Sequence, residues 1–539
     1  MNANNLGLNL GGDKNDKNKS GYKVTGKGQM MLIGLATLIL VLGYWSATRF
    51  FGGSENSSSG NVSDKSDGGG ILSVFMRDAK ADVSVCVVTW GGYAGGQYFN
   101  NGFKASKDSR YYKEYGITVE FVLIDDFVAS REAWKSDRCQ VLWITADSFP
   151  TESADLYKEH APKIFFQADN SRGGDVAVAA HDIKSVADLR GKKVAFLGGS
   201  PSHTLLLSLL EAGGLSYADI QPVETASAPD AASAFKAENV SAAMVWSPDD
   251  KDVLDKVPGS HVLLSTKQAT NIIADVFYAK ASFIEDHHDD LVALVEGWLR
   301  GAAEINSDPN AKAMAVEILA EGLAQPRDFV ENAINNARLS TYGDNLNFFG
   351  QDPSFRGVTG EELYTKMIGM YSKIGKAPSN VPAWRLVTDL SIIKDVKIVA
   401  TGANAGEGNQ KFEPPSAKMV SAPALATKRL TVTFATGSSL LDENARTIID
   451  LGYGQISKGF GGNRIRIEGN TDSTGYLDDN RRLSQRRAQA VADYLVTKYA
   501  FDRNRFVIVG NGPDKPVSDN ETSEGRSRNR RTDFELLAE

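Results

Sequence analysis

From about Ala81 onward the chain alternates short apolar runs with amphipathic stretches, and nothing else in it restricts the fold as strongly. VSVCVVTW (Val83–Trp90) is a near-continuous apolar run of the kind that forms a strand buried on both faces. ITVEFVLI (Ile117–Ile124) and CQVLWIT (Cys139–Thr145) repeat the pattern, each followed by a short amphipathic helix. Further along, Leu189–Lys193 leads into VAFL, then the turn GGSPSH (Gly198–His203), then the helix LLLSLLEA closed by Gly213-Gly214. Ala231–Trp246 again reads helix, then strand. Such alternation predicts an α/β architecture with a parallel sheet. The 539 residues leave room for two or three domains.

The N-terminal part has a different character. Residues 1–27 are rich in Asn, Gly and Lys without apolar periodicity, which predicts a disordered tail. Gly28–Thr48 is then free of charge, and at 1.5 Å per residue it would span roughly 31 Å, the thickness of a hydrocarbon core. Tyr44 and Trp45 fall where an interfacial belt would lie. Lys14, Lys17, Lys19, Lys23 and Lys27 precede this segment and only Arg49 follows closely, so the N-terminus is expected in the cytoplasm and the bulk of the chain in the periplasm. The run is long for a cleaved signal peptide and no A-x-A site follows, which favours a single-pass inner-membrane anchor. It holds no Asp or Glu that would carry protons across a membrane. Residues 49–79, with GGSENSSSGNVSDKSDGGG at Gly52–Gly70, read as a flexible linker of roughly 25 Å reach.

In residues 80–400, open α/β sheets bind ligands at the carboxyl ends of their strands, which singles out Trp90, Gly91 and Tyr93 after the first strand and Trp246 at the end of another. Gly198-Gly199-Ser200-Pro201-Ser202 places small residues at a helix start, where Gly199, Ser200 and Ser202 would favour an anion. The bland reading makes Ser200 an N-cap, the glycines a tight turn and the aromatics core. SVADLRGKKVAFLGGSPSHTLLLSLLEAGGL (Ser185–Leu215) and APDAASAFKAENVSAAMVW (Ala228–Trp246), with the TWGGY turn, resemble the periplasmic solute-binding proteins of ABC importers, of the nitrate/taurine/aliphatic-sulfonate group. That resemblance implies two α/β lobes joined by crossovers and closing on a small anionic metabolite. An ABC permease or another inner-membrane protein is the partner it suggests. Ser247 stands where that group often has Glu, so the ligand need not be the group's own. The rival expectation is a scaffold with a degenerate cleft.

Residues 401–427 are rich in Gly, Pro and Ala and read as a second linker, and residues 428–539 as a small α+β domain. Arg464–Glu468 alternates charged and apolar residues like a half-buried strand, Gly469–Asp472 breaks it, and a helix begins near Asn480. On that helix Leu483, Ala488, Val491 and Leu495 share a stripe while arginines spread over the other face. Asp472 on the loop and Arg487 on the helix could clamp a zwitterion, one charge for each end; a structural ion pair is the alternative. The pattern TD-x-x-G-(x)4-N-x-x-LS-x-x-RA, here Thr471, Asp472, Gly475, Asn480, Leu483, Ser484, Arg487 and Ala488, resembles the peptidoglycan-binding motif of the OmpA-like C-terminal domain family. Phe434, Gly437, Gly510-Asn511-Gly512, Pro516 and GRSRNRR (Gly525–Arg531) extend the match. The resemblance implies that Asp472 and Arg487 hold the ammonium and carboxylate of the diaminopimelate stem, with Thr471, Asn480 and Ser484 around them. Asn470 replaces the aromatic or His often found before Thr-Asp.

Cys86 and Cys139 lie on neighbouring predicted strands; they form either a disulfide, which an oxidising compartment permits, or two buried thiols. Neither a metal-ligand cluster, a cofactor motif nor a nucleophile–base constellation is recognisable, so no enzyme is expected. A net charge of -8 and the lack of aromatics among the C-terminal arginines argue against a nucleic-acid partner.

Overall fold

The computed structural model describes residues 81–538. The expected tail, membrane helix and first linker lie outside the described residues, and among those described no helix is long and apolar enough to cross a membrane.

Lobe I opens with β1 (Val83–Val87), β2 (Val119–Leu123), β3 (Val141–Thr145) and β4 (Pro162–Ser171). The chain crosses to lobe II for β5 (Asp175–Ala179), β6 (Lys193–Leu197), β7 (Gln221–Thr225), β8 (Ala242–Trp246) and β9 (His261–Ser265), then returns for β10 (Ala274–Lys280) and β11 (Ala337–Leu339). The sheet orders are β11-β4-β10-β3-β1-β2 and β7-β6-β8-β5-β9. Parallel pairing holds only in part: β1 runs with β2 and β3, and β6 with β7 and β8. β10 is antiparallel to β3 and β4, and β5 to β8 and β9. The expected parallel sheet is thus found only in part, because each sheet also contains the strands that carry the chain from lobe to lobe.

Those crossovers are tied together. Thr266 Oγ1 accepts the Gly173 N–H at 2.8 Å and lies 2.8 Å from Ser171 Oγ, while Ser247 N–H donates to the Gly174 carbonyl at 2.8 Å. Gly174 is a glycine of necessity: a Cβ there would lie 2.2 Å from the Trp90 ring. Behind β1, Cys86 and Cys139 form a disulfide with Cα atoms 5.6 Å apart. Trp134 and Trp298 are core residues, 0% and 1% exposed.

The C-terminal domain is a four-stranded sheet of β12 (Ala424–Leu430), β13 (Ile465–Asn470), β14 (Phe506–Gly512) and β15 (Thr532–Leu537), ordered β12-β15-β13-β14, with the helix Leu477–Tyr499 packed on it. It does not hang from a loose tether. Phe412, in the stretch expected as a linker, is buried with the Arg464 guanidinium 5.3 Å from its ring centre, and Asn409 Nδ2 donates to the Ala500 carbonyl. One apolar cluster runs from Leu206 and Ile272 of lobe II to Phe460, Ile465 and Phe534. Burying these side chains in common removes apolar surface from water on both partners. At the contact the turn 459–462 lies against the second crossover. Gly462 N–H donates to the Gln268 carbonyl at 3.0 Å, Asn271 N–H donates to the Gly459 carbonyl at 3.0 Å, and Lys458 Nζ meets Glu362 Oε2.

Candidate functional site

Two of the concavities among the described residues contain expected site residues, one in the C-terminal domain and one between the lobes. In the first, β13 ends at Asn470 and the next residues turn out of the sheet. Asp472 Oδ1 accepts the Thr474 N–H at 2.9 Å, an arrangement that fixes the loop. Asp472 Oδ2 accepts from Arg530 Nη1 at 2.7 Å. Burial pushes the Asp472 carboxyl up, but Arg530 and Thr474 outweigh it and hold the group below its ordinary value. Arg487 leaves the helix Leu477–Tyr499, donates from Nε to the Ser438 carbonyl at 2.9 Å, and lies 4.8 Å from the Phe434 ring centre. Burial, and then repulsion from Arg530, push its guanidinium below the usual arginine range.

Arg487, Arg530, Phe434 and Asn470 line a cavity of about 210 Å³, to which Asp472 is joined through Arg530. The remaining expected residues support it from behind. Ser484 Oγ, wholly buried, accepts the Gly512 N–H at 2.9 Å; Thr471 N–H donates to the Gly512 carbonyl at 2.9 Å; Asn480 Nδ2 holds the Thr474 carbonyl at 3.0 Å. Gly469 permits the close approach of helix and strand, since a Cβ there would lie 2.2 Å from the Ser484 carbonyl oxygen. Arg530 is the site residue that the sequence reading did not single out. Its signal was present in GRSRNRR, which was read only as an anchor of the match and as a basic patch.

Between the lobes, Trp90, Tyr93 and Trp246 do converge, together with Trp143, Pro201, Asp175 and Asp275, on a cavity of about 70 Å³. Gly91 packs elsewhere: a Cβ there would lie 2.3 Å from the Ala333 carbonyl carbon. The turn before the helix Pro201–Ala212 closes on itself. Gly199 N–H donates to His203 Nδ1, Ser200 Oγ donates to the Leu197 carbonyl rather than capping the helix, and Ser202 Oγ is buried without a hydrogen-bond partner. Of this turn and helix start, Pro201 reaches the cavity.

Carboxylates dominate the surroundings instead. Trp90 Nε1 donates to Asp169 Oδ2 at 3.2 Å, and Tyr93 OH donates to Asp275 Oδ1 at 2.7 Å. Asp147 Oδ1 accepts the Ala274 N–H. Burial pushes Asp147 and Asp175 up to about 7 and Asp169 to about 8; burial, with repulsion from Asp169, pushes Asp275 up as well. None of these four was singled out from the sequence. The available signal was an Asp in a predominantly buried strand for Asp169, Asp175 and Asp275, against strand preference; Asp147 stands in the turn after β3.

Comparisons with known proteins follow the same division of the chain. A family model described as OmpA family matches residues 433–530, and one described as NMT1/THI5 like matches residues 163–312. Over 181 residues the chain is 34% identical to outer membrane protein A of Bordetella avium, an alignment covering 34% of this chain and 88% of that protein. Over 111 residues it is 40% identical to outer membrane porin F of Pseudomonas aeruginosa, covering 21% of this chain and 31% of the porin. The periplasmic aliphatic sulphonate binding protein SsuA from Escherichia coli is a structural neighbour at 19% identity, covering 58% of this chain and 99% of that one, with a TM-score of 0.44. The chain therefore joins an OmpA-family domain to a domain of the solute-binding type. Through its C-terminal domain it belongs to the OmpA family.

Proposed function

We propose that this chain fastens itself non-covalently to peptidoglycan and carries, between wall and inner membrane, a receptor domain for a small solute. The observation that carries the wall-binding half is the cavity of about 210 Å³ lined by Arg487 and Arg530, with Asp472 paired to Arg530 at its side. A zwitterion such as the diaminopimelate stem offers a carboxylate to Arg487 and an ammonium to Asp472, which exchanges Arg530 for the ligand. Gly28–Thr48 is the inner-membrane anchor in this reading, with the N-terminus cytoplasmic, and a permease is the membrane partner on which such a receptor would dock. Co-sedimentation with purified sacculi tests the reading: Asp472→Ala and Arg487→Ala should each lose the pellet fraction while remaining folded. Wild-type sedimentation by both variants overturns it.

For the two-lobed domain, the resemblance to the sulfonate group supports an oxyanion-bearing solute, whereas the cavity walls carry Asp175 and Asp275 and no Lys or Arg. The alternative, a scaffold with a degenerate cleft, draws support from a volume of only about 70 Å³. A ligand at a hundred times its Kd stabilises a receptor by about 2.7 kcal/mol, so a thermal shift with a small solute separates receptor from scaffold.

A further inference from the structure

We propose that the cleft between the lobes is a site for a small organic ammonium ion, its nitrogen held by Asp175 and Asp275 and its carbons lying against Trp90, Trp143 and Trp246. This rests on reading the two-lobed domain as a solute receptor.

Trp90 and Tyr93 satisfy one oxygen each of Asp169 and Asp275, but the carboxylates together carry more charge than these contacts match. Asp169 and Asp275 are direct cross-strand partners in the antiparallel pair β4–β10, and like charges so placed weaken a sheet. Asp175 opens β5 immediately after the crossover, opposite Trp246. Asp169 is 0%, Asp175 5% and Asp275 6% exposed. Yet Asp169 Oδ1 and Asp175 Oδ1 have no hydrogen-bond partner, and Asp175 lines the cavity. A buried carboxylate oxygen without a donor is costly, and the cost disappears when a cation sits beside it.

The protein's own cations do not fill that place. Arg131, beside Trp143, closes a two-bond fork on Glu152 at 3.2 and 2.9 Å. Arg172, the guanidinium that acts on Asp169, directs its donors to the Thr270 carbonyl and to Glu407. Among the described residues no group of three or more His, Cys, Asp or Glu is arranged to hold a metal ion, and the three indoles in the lining point to an organic cation. The aromatic wall suits one. Trp246 stacks on Phe127 with ring centres 6.1 Å apart, and Trp143 meets the same ring edge-on at 5.1 Å, so the indoles are held rigidly around the cavity. Indole faces attract ammonium groups through their quadrupole, and most strongly where water is excluded. The cavity of about 70 Å³ limits the ligand to a few heavy atoms.

The test is a thermal-shift and calorimetric comparison on the full-length chain. The probes are tetramethylammonium and ethanolammonium chloride against sodium methanesulfonate and sodium nitrate, each at matched ionic strength. The ammonium salts should raise Tm and give saturable binding, and Asp175→Asn and Trp246→Ala should each weaken it at least tenfold. Asp175→Asn removes a buried like charge, so it should fold; Trp246→Ala is the second variant should it not. A shift with methanesulfonate or nitrate and none with the ammonium salts overturns the ammonium assignment while leaving a receptor. No shift with any probe overturns both readings. Ammonium binding that survives in both variants places the ion elsewhere and overturns the assignment.

Discussion

Arg530 Nη1 lies 2.7 Å from Asp472 Oδ2, so the carboxylate expected to meet an ammonium is already matched with a guanidinium from a segment 58 residues away. The pair is partly exposed, with side-chain accessibilities of 47% and 13%. Its contribution to folding is therefore about 0–1 kcal/mol, whereas a charge lost from the filled site costs about 2–5 kcal/mol of binding. Asp472→Ala should leave Tm within a few degrees of wild type and lower sacculus affinity at least thirtyfold. Because Asp472 is held below its ordinary value, wall binding should be level from pH 8 to pH 5 and fall only in stronger acid. Sedimentation at pH 8, 5 and 3 checks this.

The lobes should respond to pH in the opposite sense. Asp147, Asp169, Asp175 and Asp275 face one another, with Tyr93, Trp90 and Arg172 about them, and all four carboxyls are pushed up by burial. Between the unfolded value near 4 and the folded values of about 7 to 8, the native state holds more protons than the unfolded chain. Stability then falls as pH rises through that window. Without ligand, Tm of the lobes should drop steadily from pH 5 to pH 8.5, and Asp175→Asn should flatten the slope.

Reduction should cost stability as well. The disulfide joins residues separated by 53 positions, and closing a loop of that length stabilises by about 4 kcal/mol in the chain-entropy account. Dithiothreitol, or the paired change Cys86→Ala/Cys139→Ala, should lower the thermal midpoint of lobe I without altering sacculus sedimentation. An unchanged midpoint would refute the bond's role.

Gly462→Val should loosen the C-terminal domain from the lobes. A Cβ at Gly462 would lie 2.5 Å from the Lys267 carbonyl oxygen and 3.0 Å from Gln268 Cα, both backbone atoms that cannot step aside cheaply. Small-angle scattering should show a larger radius of gyration, and limited proteolysis should cut near residues 401–423 first. The cavity beside Arg487 lies on other residues, so the proposed sacculus binding should persist.

The fold was legible in the sequence wherever apolar periodicity or a spaced motif wrote it down. The expected strands at Val83–Trp90 and Ile117–Ile124 are β1 and β2, each slightly shorter. β1 ends at Val87 because Thr89 N–H turns to Asp125 Oδ1 at 2.7 Å and starts the loop into the cleft. Cys139 lies two residues ahead of β3, so strand adjacency was right and its placement on the strand was not. Asp472 and Arg487 were found by motif spacing, while Arg530 reaches them only through tertiary folding. The acidic cleft stayed hidden for a related reason. Asp169 and Asp175 flank the first crossover, but Asp275 lies far along the chain, and only the pairing of β4 with β10 brings it beside them. Phe412 shows the limit of composition: surrounded by Gly and Pro it reads as a tether, yet its buried ring beneath Arg464 and the bonds from Asn409 and to Asp502 lay that stretch along the surface.

The turn 459–462 ties the C-terminal domain to the join between the lobes. It lies against Lys267–Ile272, the passage from β9 to β10. On the proposed function, a C-terminal domain held by the wall would bear directly on this passage and not through slack chain, so that movement of one lobe against the other and a pull from the wall would load the same few residues.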